Sequence, residues 1–125
     1  MKKTLLVATL FMASVTMTNF MHAAVAATIV SNLGDLSTFK TIAKDTLALV
    51  AKGDLATAKK RITDFETAWD KNEPTLYPMN KTEWGVIDDA ADAAIRSLRR
   101  SNPDATEAEQ AVTGLLNMLD DPVAH

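Results

Sequence analysis

The 125-residue sequence has no cysteine and two histidines. Without cysteine there can be no disulfide, thiolate metal site, cysteine nucleophile, c-type haem attachment or lipid-modified N-terminal cysteine. One histidine, His22, lies near the N-terminus and the other, His125, is the final residue. Cleavage after Ala26 would remove His22 and leave a Ser-His-acid triad only His125 to rest on. Zinc sites, axial haem pairs and the Glu-x-x-His pairs of di-iron bundles lack their ligands. Glycine is scarce, at positions 34, 53, 85 and 114. No phosphate-cradling glycine loop and no G-x-S-x-G elbow can be built from that spacing. Proline is equally scarce and strand signals are nearly absent. Positive charge is not in excess, since the net charge is −3, which argues against nucleic acid or anionic lipid as a partner.

The hydrophobic fraction of 47% suits one globular domain. The N-terminus reads as an address. Lys2 and Lys3 precede an apolar run from Leu5 to Ala13, and Ala24-Val25-Ala26 supplies the small residues of a cleavage site. This is the three-part pattern of a secretory signal peptide cut after Ala26, with the rest of the chain periplasmic or secreted. Thr9, Ser14, Thr16, Thr18 and Asn19 interrupt the segment as a retained membrane anchor. No later segment has the length to span a bilayer. Removing residues 1–26 makes the net charge more negative, because Lys2 and Lys3 leave and every acidic residue stays. The expected organisation is a signal peptide over 1–26, an N-terminal extension over 27–34, a helical bundle over 35–121 and a tail over 122–125.

The bundle follows from four apolar stripes of helical period. Phe39, Ile42, Ala43, Thr46, Leu47, Leu49 and Val50 form the first, capped by Asp35 or Ser37 and closed by Gly53. Asp54 then caps the second, with Leu55, Ala58, Ile62, Phe65 and Trp69 inside and Pro74 marking its end. A loop from Glu73 to Lys81 leads to a capping-box-like start, Asn80-Lys81-Thr82-Glu83. The third stripe is Trp84, Ile87, Ala91, Ala94, Ile95 and Leu98. Pro103 in the first turn of a fourth helix leads to Ala108, Ala111, Val112, Leu115, Met118 and Leu119, ended by Asp121-Pro122. Short connections make neighbours antiparallel. The expected fold is therefore all-α, an antiparallel up-down four-helix bundle after a cleavable signal peptide. Leu47 and Leu116 sit off the main stripes and suit a second core layer or a homodimer seam.

Antiparallel pairing brings Trp69 and Trp84 to one end, where Tyr77 and Met79 can close over them. These aromatics fit a hydrophobic plug, or a ligand or partner contact formed by Trp69, Tyr77 and Trp84. Acid collects at the same end. Glu66, Asp70 and Glu73 lie on one side of the second helix, and Asp88 and Asp92 on the third. The five carboxylates fit either a solvated face or a divalent-cation site. Lys52, Lys59, Lys60 and Arg61 gather with Arg96, Arg99 and Arg100 at the opposite end.

Gly53-Asp54, Ala58, Phe65-Glu66 and Glu73, followed by a leucine-rich last helix, resemble the periplasmic helical region preceding the membrane part of bacterial iron-permease-type proteins. The resemblance covers roughly residues 49–119. It implies an extracytoplasmic, metal-linked helical accessory module. The Arg-Glu-x-x-Glu iron motif of that family's membrane part is absent. The sequence thus leads to a small exported helical protein without catalytic activity, acting by binding or protein interaction. A divalent-cation-handling protein and a small-molecule binder at the Trp/Tyr end are the alternatives.

Overall fold

The computed structural model describes residues 31–122. The signal-peptide and cleavage expectations, residues 27–30 of the extension, and His125 lie outside the described residues. Within them the chain forms four helices: α1 (Ser37–Ala51), α2 (Leu55–Leu76), α3 (Lys81–Arg99) and α4 (Ala105–Asp120). There is no strand among the described residues. Each helix packs against its two neighbours in a closed ring, α1 on α2, α2 on α3, α3 on α4 and α4 on α1. Ion pairs fix the antiparallel sense. Lys40 near the start of α1 meets Asp120 at the end of α4, at 3.3 Å, and Arg100, just past the end of α3, meets Glu107 at the start of α4, at 2.7 Å. The fold is an all-α four-helix bundle, as the stripes predict.

The stripes form the core. Ala58, Ile62, Phe65, Ile87, Ala94, Ala108, Val112 and Leu115 are fully buried. Leu47 and Leu116 are half-buried against this cluster. No helix among the described residues is long and apolar enough to cross a membrane.

The helix ends show where local chemistry holds and where tertiary structure overrides it. Gly53 adopts φ +76°. Its N–H donates to the Val50 carbonyl at 2.9 Å and the Asp54 N–H to the Leu49 carbonyl at 3.0 Å, the paired bonds of a Schellman end. Asp54 also caps α2, accepting from the Thr57 N–H at 3.1 Å. α1 differs from expectation. Its cap position is Leu36, with no side-chain cap. Asp35 instead accepts from the Ser37 N–H at 2.9 Å. Pro103 stands outside α4, whose cap is Asp104, accepting from the Glu107 N–H at 2.8 Å.

Pro74 does not end α2. The helix runs through it to Leu76, so the connection to α3 is only residues 77–80. Proline here removes one bond in the last turn. Burial of Leu76 and the Tyr77 N–H bond to the Glu73 carbonyl at 2.9 Å hold that turn.

The Asn80–Glu83 box forms by half. Asn80 accepts from the Glu83 N–H at 3.0 Å, but the Glu83 side chain does not return to Asn80. It is 4% exposed and accepts from the Asn32 Nδ2 at 2.7 Å, the Asn32 N–H at 3.0 Å and the Ser31 hydroxyl at 3.2 Å. Residues 31–33 of the expected extension are thereby clasped onto the start of α3, with Leu33 buried beside them.

Candidate functional site

The aromatic residues form one connected row from the core to the surface. Phe39 of α1 meets Phe65 and Trp69 of α2 edge-on, at 5.8 and 5.1 Å between ring centroids. Phe65 stacks on Trp69 at 5.9 Å, and Trp69 stacks on Trp84 of α3 at 5.8 Å. Tyr77 meets Trp84 edge-on at 5.3 Å. These are the offset and edge-to-face geometries that aromatic quadrupoles favour. Burial falls along the row. Phe65 and Trp69 are buried, Trp84 is half-buried, and Tyr77 is 39% exposed. Met79, two residues further in the same turn, is 51% exposed. The sequence expectation that Trp69, Tyr77 and Trp84 meet at one end holds. The roles within that group differ. Trp69 is a core residue, whereas Tyr77 and part of Trp84 reach the surface.

The direct stacking of Trp69 on Trp84 leaves no space between the indoles for a small ligand. Phe65, Ile87 and Leu119 are all buried. Among the described residues, shallow depressions lie elsewhere, along α4 between Thr106 and Asn117 and along α2 between Ala56 and Thr63. The two indole N–H groups also differ. Trp69 Nε1 donates to Asp88 Oδ1 at 3.1 Å. Trp84 Nε1 is buried and has no partner among the described residues.

The five expected metal carboxylates do not share one arrangement. Glu66 pairs with Arg99, near the end of α3. Asp88 is half-buried and bonded to Trp69. Asp70 and Asp92 are exposed and close enough to act on Asp88 through their charge. Glu73 is exposed on the last turns of α2. Among the described residues, no group of three or more histidine, aspartate or glutamate side chains is arranged to hold a metal ion. At the basic end, Arg61 pairs with Asp45 at 2.8 Å and with Asp64 at 3.1 Å, and Arg100 pairs with Glu107. That end is a surface of mixed charge.

Asp88 carries the clearest electrostatic strain. Partial burial pushes its carboxyl above the ordinary range, followed by the charge of Asp92, and then those of Asp89 and Asp70; only the Trp69 hydrogen bond opposes this. Between the ordinary carboxyl range and the raised value, the folded chain binds more protons than the unfolded chain. Stability from this group is therefore fully present below that window and is lost as pH rises through it. Asp88→Asn keeps an oxygen for Trp69 and removes the repulsion. At neutral pH it is expected to raise stability by about 0.5 kcal/mol, the scale of a solvent-screened surface charge interaction. The gain should vanish in acid. Thermal melts of both proteins across pH check this. Asp35 and Asp54, held below the ordinary range by hydrogen bonds from Ser37 and Thr57, lose their contribution in acid equally in both proteins.

Two features have little sequence signature. The Glu83 clasp joins residues more than fifty positions apart, and Glu83 in a first turn already has a local explanation as a capping acid. The Trp69–Asp88 bond was hidden by grouping Asp88 with the surface acids. Its place four residues after Trp84, on the face meeting Trp69, is the available signal.

No protein-family model, curated protein or solved structure matches this chain.

Proposed function

We propose that the chain is a small exported helical protein, periplasmic or secreted, that acts without catalysis by binding a partner protein at the α2–α3 end of its bundle. One observation carries this reading. Tyr77 and Met79, the exposed large hydrophobics among the described residues, lie in one four-residue turn. That turn is backed by the stacked row Trp84–Trp69–Phe65. Rigid aromatics offered from a packed support are the usual anchors of protein interfaces, because little side-chain entropy is lost when they are covered. The signal-peptide pattern supports export. The small-ligand alternative has less support, because the stacked indoles leave no space between them. The divalent-cation alternative has less as well, because Glu66 is committed to Arg99.

A photoreactive benzoylphenylalanine placed at Met79 tests the reading in cells producing the full-length chain. The expected result is one discrete crosslinked adduct, absent when the probe sits at Gln110 on the exposed face of α4 and diminished by Tyr77→Ser. No adduct at Met79, or the same adducts from Gln110, would overturn it.

A further inference from the structure

Among the described residues α2 and α3 are the two longest helices, yet they are the least intimately packed of the neighbouring pairs. The seam between them begins at the Tyr77–Trp84 pair. On α3, Trp84, Asp88 and Asp92 recur every four residues and share a face. Asp70 of α2 lies about two turns before Tyr77, the residue just past that helix's end. Asp88 is tied across the seam to Trp69, Asp70 follows Trp69 on α2, and Asp92 lies one turn beyond Asp88, so these three carboxylates flank one stretch of the seam. The Glu66–Arg99 pair lies beyond them toward the end of α3. The seam therefore offers an aromatic shelf followed by Asp70, Asp88 and Asp92, with Arg96 one turn further along the same side of α3.

From this arrangement we infer that the partner is a polypeptide segment in which lysine or arginine alternates with apolar residues. Its apolar side chains cover Tyr77, Met79 and the exposed part of Trp84, and its cations lie between Asp70 and Asp92. The inference rests on the proposed contact surface and adds the chemistry of its occupant. Charge complementarity selects that occupant. An acidic segment would meet like charge at Asp70, Asp88 and Asp92, and a purely apolar one would leave those carboxylates uncompensated while removing water from them. The chain itself supplies a precedent at the shelf. Lys81 places its ammonium over the Tyr77 ring, 5.4 Å from the centroid. The aromatic shelf thus already accepts a cation on one of its faces.

The test uses protein purified from cells expressing the full-length gene. Three probe peptides of about twelve residues, roughly three helical turns, are titrated while protein tryptophan emission is followed. One alternates leucine with lysine as an amphipathic helix, one replaces lysine with glutamate, and one is oligolysine. None contains tryptophan. The leucine–lysine peptide is expected to shift the emission and to bind at least ~10-fold tighter than either of the others, with affinity falling as salt rises. Asp70→Asn with Asp92→Asn should weaken it about tenfold. Both positions are exposed, so the variant keeps its core, and an unchanged melt verifies that. Equal binding of the leucine–glutamate peptide would overturn the inference by showing apolar adhesion alone. Equal binding of oligolysine would overturn it by showing ionic attraction alone, and so would no binding by any peptide. A discrete Met79 adduct together with indifference to peptide charge would remove the cationic partner and leave the contact surface standing.

Discussion

Trp69→Ala is expected to lower the melting temperature by at least ~12 °C, from a loss of about 3–5 kcal/mol. Trp69 is 1% exposed and touches three other rings, Phe39, Phe65 and Trp84. Its removal leaves a cavity between α1, α2 and α3, and backbone relaxation fills such a cavity only in part. It also takes away the donor to Asp88, leaving a half-buried carboxylate among three other acids. A domain of this size has about 5–15 kcal/mol of stability in total, so this single change consumes a large share. Trp69→Phe separates the two causes. It retains a ring between its neighbours and loses only the indole N–H and part of the volume, so its cost should be less than half. A thermal melt of both variants checks the ordering. A Trp69→Ala protein melting within a few degrees of the parent would mean that the aromatic row contributes little to the core.

Glu83→Ala is expected to cost about 3 kcal/mol. Hydrogen bonds to a charged group contribute roughly 1.5–3 kcal/mol each, and three donors converge on this carboxylate. The total falls short of their sum because residues 31–33 can lift away and regain water. Glu83→Gln should cost about half as much, since one side-chain oxygen remains to accept and the amide nitrogen cannot. The local signature distinguishes the clasp from a general loss of stability. In Glu83→Ala, amide exchange at Asn32 and Leu33 should accelerate well beyond the change in the α2 and α4 core. Uniform acceleration across the bundle would show that Glu83 supports the whole fold and not the N-terminal segment.

Most of the bundle was legible because its information is local and periodic. Ile62 and Phe65, or Ala91 and Leu98, fall at odd spacings that a helix but not a strand brings to one face. Asp54 and Asn80 act within three residues of themselves, so their caps can be read directly, whereas Pro103 drew the expected start of α4 ahead of its cap, Asp104. What escaped was decided by partners distant in sequence. Glu83 looked like the second half of a capping box, but Asn32 and Ser31 competed for its oxygens and won. Pro74 looked like a stop, but helix-breaking strength depends on how many turns remain, and burial of Leu76 outweighed one missing bond. At the candidate site, antiparallel pairing correctly gathered Trp69, Trp84 and Tyr77. Pairing alone could not tell which ring is core and which is surface, because that depends on the depth of packing behind each. The acids were grouped by helix level, whereas Arg99 draws Glu66 away and Trp69 draws Asp88 inward.

The corner between α1 and α2 shares its chemistry through one residue. Asp54 donates its backbone N–H to the closing turn of α1 and offers its carboxylate to the opening turn of α2. Melting either turn releases the residue that terminates the other. Fraying at one helix end therefore loosens the residue that closes the other, so the two ends at that corner are coupled through Asp54.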